Sequence, residues 1–242
     1  MKALIIIALI SFLASPPAIK KKVTFEASDG LEITADLYVE NEEYPYILLL
    51  HQAESSRGEY NEIAFKLAKL RHNCLAVDLR SGNNSNYISN ETARRAREQK
   101  MNPSYLDTKI DIMAAIDYAY SLNHKEVILL GSSYSASLSL LIGKDHPKVS
   151  AVIAFSPGEY FGDDLRMETE IDTFAKPLFV AGTQFEVPYI KDMLKNLPEE
   201  SMTLFEPKSS MGEHGSKALW DENASKDEYW LVLLFFFNSI KQ

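Results

Sequence analysis

The chain carries one cysteine, Cys74, which excludes an intramolecular disulfide and a multi-cysteine zinc site. Cys74 falls in an apolar run, Cys74 to Leu79, where a small buried hydrophobe is expected rather than a reactive thiol. A basic surplus is also missing. With 25 Lys and Arg against 34 Asp and Glu, the formal net charge is −9, and nothing neutralises phosphates on the scale that general nucleic-acid binding needs. There are no internal repeats and no low-complexity linker, so the 242 residues read as one domain with a sizeable core. Hydrophobic residues make up 46% and charged residues 24%, which places the chain among ordinary globular proteins.

The first residues differ from the rest. Met1-Lys2 precedes an apolar stretch, Ala3 to Ala14, then Ser15-Pro16-Pro17 and the basic run Lys20-Lys21-Lys22. The apolar stretch falls well short of the roughly 20 residues of a spanning helix. A charged start and a short apolar core resemble a secretory signal, although the proline after Ser15 makes a poor cleavage site. Residues 1–22 are expected to be a signal peptide or N-terminal anchor outside the fold, and the protein to be exported, periplasmic or secreted. Membrane contact is expected only if this segment stays uncleaved.

From there the chain alternates. Val23 to Ser28 and Leu31 to Val39 read as half-solvated antiparallel strands joined by a tight Asp29-Gly30 turn. Tyr46 to Leu50 is the first wholly apolar strand, followed by helical periodicity over Gly58 to Leu70 and a strand from Asn73 to Leu79. Arg80 to Pro103 is polar, with a short helix expected over Glu91 to Gln99 and Arg94, Arg95 and Arg97 read as a solvated face. A long amphipathic helix, Ser104 to Leu122, comes next. Later strands are expected at Val127 to Leu130, Val149 to Phe155, Pro177 to Ala181 and Met202 to Glu206, with helices near Pro188 to Asn196 and Glu228 to Ile240. Such alternation implies a mostly parallel sheet covered by helices on both faces, with ligands beyond the carboxyl ends of the strands.

One stretch carries chemistry. Val127 to Leu130 stops at Gly131, Ser133 follows, and small and aliphatic residues continue to Ile142. Strand, sharp turn and helix with a serine at the apex is the setting of a G-x-S-x-G nucleophile elbow, here Gly131-Ser132-Ser133-Tyr134-Ser135. A serine hydroxyl needs a base within hydrogen-bond reach, itself oriented by a third group. In the order serine, acid, histidine, the base is expected to be His214, in a glycine-flanked loop after the last strand. His51 precedes the serine, His72 and His124 sit in turns before strands, and His146 precedes Pro147. The acid is expected to be Glu186, the one carboxylate in the loop Gly182 to Pro188. Glu159 is the alternative, and Asp163 and Asp164 are weaker candidates. Two backbone N–H groups must hold the oxyanion, each worth roughly 3–4 kcal/mol in the transition state. Tyr134, after the nucleophile, and Ala53, after the first apolar strand, are the expected donors, with Gln52 able to serve instead of Ala53.

Taken together, LLLHQ (Leu48 to Gln52), DLRSG (Asp78 to Gly82), the elbow, VAGTQFEVP and the EHG loop resemble an α/β-hydrolase, nearest in style to dienelactone-hydrolase-like esterases, over roughly Val23 to Gln242. Three positions depart from the pattern. Gln52 stands where glycine is common, Ser135 replaces the second elbow glycine, and Phe185-Glu186 replaces the familiar aspartate. Dienelactone hydrolases proper use a cysteine nucleophile, so lactone specificity is not implied. The expectation is a serine hydrolase cleaving a carboxylic ester or related acyl bond in a small-molecule substrate, with no metal or organic cofactor. A serine peptidase or acyltransferase on the same residues, and a catalytically degenerate binding protein, are the alternatives.

Overall fold

The computed structural model describes residues 18–240, so the greater part of the leader expected over residues 1–22 lies outside the described residues. Eight strands form one twisted sheet in the order β1-β2-β4-β3-β7-β8-β9-β10. They are β1 (Ile19–Glu26), β2 (Glu32–Val39), β3 (Tyr46–Leu50), β4 (Asn73–Val77), β7 (Val127–Ser132), β8 (Val149–Phe155), β9 (Leu178–Ala181) and β10 (Thr203–Phe205). The short pair β5 (Asn84–Ser85) and β6 (Ile88–Ser89) stands apart as a separate ladder. β1 and β2 are antiparallel to each other, β2 is antiparallel to β4, and every neighbouring pair from β4 across to β10 is parallel.

Parallel strands need crossovers, and the helices supply them. They are α1 (Ile63–Ala68), α2 (Glu91–Glu98), α3 (Lys109–Asn123), α4 (Tyr134–Gly143), α5 (Met167–Glu170), α6 (Val187–Met193) and α7 (Lys226–Ser239). Successive side chains of a strand point to opposite faces, which divides the interior into two cores. Leu48, Leu50, Val127 and Leu129 pack with Ile112, Ile116, Leu138 and Ile190 from α3, α4 and α6. Ile47, Leu49, Ile128 and Leu130 pack with Ile63, Leu67, Leu233 and Phe236 from α1 and α7. Each fully buried Leu or Ile contributes about 1.5–3 kcal/mol.

Four local expectations are corrected. β1 begins at Ile19, so Lys20 to Lys22, expected to lie outside the fold, are sheet residues opposite Tyr38 to Asp36. The first hairpin is wider than a two-residue turn. Ala27 C=O accepts from Gly30 N–H at 2.9 Å, Ala27 N–H donates to Leu31 C=O at 2.9 Å, and the Asp29 carboxylate accepts from Leu31 N–H at 3.3 Å. β2 is not half-solvated, because Arg95 bonds the Thr34 hydroxyl at 2.7 Å and Arg57 pairs with Asp36 at 3.3 Å, covering its polar face. The helix expected over Gly58 to Leu70 divides into a 3-10 turn, Arg57–Tyr60, and α1. Cys74 is a free, fully buried thiol in β4. Among the described residues no helix is long and apolar enough to cross a membrane.

The candidate active site

Five strand ends converge on the same edge of the sheet: β3 leads to His51, β7 to Ser133, β8 to Ser156, β9 to Glu186 and β10 to His214. The elbow is the most constrained of them. Ser133 has φ 60° and ψ −126°, a conformation costing a serine about 1–3 kcal/mol, which surrounding contacts must hold in place. Its N–H donates to Phe155 C=O at 2.9 Å, and its own C=O accepts from Ala136 N–H at 2.9 Å and Ser137 N–H at 3.3 Å. Gly131 is required by close approach, because a β-carbon there would lie 2.5 Å from Ala136 Cα. Ser135, in place of the second glycine, does more than fit. Its hydroxyl reaches Leu50 C=O at 2.7 Å and accepts from Ser132 N–H at 2.9 Å, tying the end of β3 to the elbow. Tyr134 opens α4, so its N–H has no partner within the helix.

Glu186 and His214 meet. His214 Nδ1 and Glu186 Oε1 are 2.5 Å apart, which assigns the imidazole proton to Nδ1 and leaves the Nε2 lone pair free. The second carboxylate oxygen accepts from the Ser156 hydroxyl at 2.7 Å and Thr183 N–H at 2.9 Å. Burial works to raise the Glu186 pKa, but the bonds from His214, Thr183 and Ser156 outweigh it and hold the carboxyl at about 2. The alternative acid has another task. Glu159 accepts from Met167 N–H at 2.7 Å and Glu168 N–H at 2.9 Å, satisfying the start of α5. Asp163 and Asp164 lie exposed in a 3-10 turn.

The His214 loop is fastened directly beneath the elbow. Ser216 N–H donates to Ser132 Oγ at 2.8 Å, and the Ser216 hydroxyl donates to the buried Glu59 carboxylate at 2.6 Å. At Gly215, with φ 67°, any β-carbon would collide with Ser132 Oγ. Ser133 and His214 are thus brought to the same edge through their sequence neighbours, although no hydrogen bond joins the Ser133 hydroxyl to the imidazole among the described residues. Sequence reasoning missed Ser132, Ser156, Ser216 and Glu59. The one available signal was Ser156 standing immediately after a largely apolar strand.

In the turn after β3 the backbone of Gln52 is already engaged. Gln52 N–H donates to the other Glu59 oxygen at 3.1 Å, and Gln52 C=O accepts from His51 Nδ1 at 2.7 Å. Both backbone groups of Gln52 are therefore committed within the protein, and among the described residues the N–H of the following Ala53 has no hydrogen-bond partner. His51 itself is buried and structural. Its Nε2 accepts from Leu79 N–H at 2.9 Å, and burial lowers its pKa. Tyr160, whose hydroxyl donates to Ser156 C=O at 2.9 Å, stands between two clefts. One, of about 310 Å³, is lined by Pro103, Tyr105, Leu106, Tyr160 and Phe161, and Tyr105 stacks on Tyr134 with ring centroids 4.4 Å apart. The other, of about 340 Å³, is bordered by Glu159, Tyr160, Glu168, Glu186, Tyr189 and Asp192 and is more acidic.

Known structures of the same shape share this arrangement of strands. An esterase from Pyrococcus furiosus superposes with a TM-score of 0.68 at 14% identity, over 93% of this chain and 92% of the esterase. A dienelactone hydrolase from Anabaena variabilis gives a TM-score of 0.70 at 16% identity, over 93% of this chain and 99% of that one. This chain has the α/β-hydrolase fold. An acylaminoacyl peptidase from Pyrococcus horikoshii has it too, with a TM-score of 0.65 at 16% identity over 94% of this chain and 42% of the peptidase. No protein-family model matches the sequence, and no curated protein does. An α/β-hydrolase scaffold supports many reactions, so the activity must be argued from the site.

Proposed function

We propose that this protein is a serine hydrolase that cleaves a carboxylic ester, or a related acyl bond, by way of an acyl-enzyme. The observation that carries this reading is the His214–Glu186 pair at 2.5 Å on a loop fastened to the turn that holds Ser133 in its left-handed conformation. In this mechanism Ser133 Oγ attacks the carbonyl carbon while His214 Nε2 takes its proton, and Glu186 stabilises the resulting imidazolium. Tyr134 and Ala53 N–H groups hold the oxyanion. The imidazolium then protonates the leaving alcohol, and His214 activates a water that hydrolyses the acyl-serine. The aromatic cleft beside Tyr134, which also carries Ser104 and Asp164, favours a compact acyl or alcohol group, and the chemistry calls for no metal or organic cofactor. For the N-terminal segment we propose export, on its charged start and short apolar core.

The test is covalent labelling. A fluorophosphonate probe is expected to modify the wild-type protein at Ser133 and to leave Ser133→Ala unlabelled, with short-chain aryl esters turned over in parallel. Unlabelled wild-type protein would point to the binding-protein alternative. Faster cleavage of aminoacyl amides than of esters would favour a peptidase, the activity named for one of the structures that share this fold.

A further inference from the structure

The carboxyl end of β8 carries a serine whose every polar group is engaged. Ser156 is buried and holds a left-handed φ of 52°. Its N–H donates to Ala181 C=O at 2.7 Å, and its C=O accepts from the Tyr160 hydroxyl at 2.9 Å. Its Oγ accepts from Gly215 N–H at 2.9 Å and donates to Glu186 Oε2 at 2.7 Å. The direction of these bonds is fixed by chemistry. An amide N–H can only donate and a carboxylate can only accept, so the single hydroxyl proton points at Glu186.

We propose that Ser156 is a positioning residue that sets the rotamer of Glu186 and the height of the His214 loop together, a reading that rests on the proposed serine-hydrolase mechanism. Glutamate has one more rotatable bond than aspartate and loses more freedom when fixed. Ser156 and Thr183 N–H anchor Oε2, which leaves Oε1 as the oxygen turned to His214 Nδ1. Through Gly215 the same hydroxyl pins the residue that follows the imidazole. Ser156 touches no reacting atom and acts only through these two partners.

Ser156→Gly is the suitable variant, because glycine accepts the left-handed backbone without steric cost and the lost hydroxymethyl group carries the only side-chain hydrogen bonds. On a short-chain aryl ester, kcat is expected to fall roughly tenfold or more while KM stays within about twofold, as misplacement of a catalytic pair predicts. The second measurement is the far-downfield proton resonance of His214 Nδ1–H in the resting protein, expected to broaden or move upfield in the variant. Should Ser156→Gly fail to fold, Ser156→Ala carries the same comparison. A folded variant with kcat within twofold of wild type would overturn the proposal. If wild-type protein hydrolyses no ester at all, the resonance decides alone: an unchanged signal defeats the positioning role, and a displaced one sustains it while the hydrolase reading falls.

Discussion

At position 133 the backbone holds a conformation that glycine adopts freely and alanine does not. Both Ser133→Gly and Ser133→Ala should be inactive, but they should differ in stability. The glycine variant is expected to be more stable than the alanine variant by about 1 kcal/mol or more, read from urea midpoints. Glu186 makes a prediction about pH. Its folded pKa of about 2 lies below the ordinary value of 4.5, so between those values the unfolded chain binds more protons than the native one. The stability it contributes is complete above about pH 4.5 and is lost as pH falls toward about 2. Glu186→Gln should flatten that segment of the stability profile, which thermal melts of both proteins across this window would reveal. The elbow, the acid loop and the histidine loop could be found in the sequence because each follows an apolar strand. The roles of Ser156, Ser216 and Glu59 could not. Their partners lie far away along the chain, 59 residues in the case of Gly215 with Ser156 and 157 in that of Ser216 with Glu59, and no local pattern records such pairings.

Among the elements, the contact between β7 and α4 leaves no room for a side chain. A β-carbon at Gly131 would sit 2.5 Å from Ala136 Cα, a backbone atom that cannot swing aside. Gly131→Ala should therefore destabilise the protein by roughly 1–3 kcal/mol or more, visible as a lower urea midpoint, and should misplace the serine. Strand identity was readable wherever apolar runs are buried on both faces, and β8 spans Val149–Phe155 as its run suggests. The strand β2 was legible too, but its expected half-solvated character was not what the fold shows. Its alternating threonine and aspartate look solvent-facing, yet Arg57 and Arg95 arrive from later in the chain and bury them. Polarity in a strand signals water only where no distant side chain supplies the hydrogen bonds.

For the molecule as a whole, Arg57 is a buried cation that helps to join the N-terminal strands to the rest. Arg57 meets Asp78 at 2.5 Å, Glu91 at 2.8 Å and Asp36 at 3.3 Å, linking β2, the end of β4 and the start of α2. Asp78 also accepts from Arg57 N–H and Glu91 N–H, both at 2.8 Å. Asp78→Ala would strand these donors and leave the guanidinium short of charge. A loss of roughly 3–5 kcal/mol in urea unfolding is expected, with little direct effect on the chemistry.

Among the described residues β1 is an outermost strand, with one row of backbone groups turned away from the sheet, and such a row is a template on which a second chain could stack. Lys20, Lys21 and Lys22 place three like charges along it, while the opposite margin, β10, is only three residues long. Two such chains meeting margin to margin would bring cation against cation. The lysines thus guard the β1 margin against fibril-like growth, and the shortness of the strand does the same at the β10 margin.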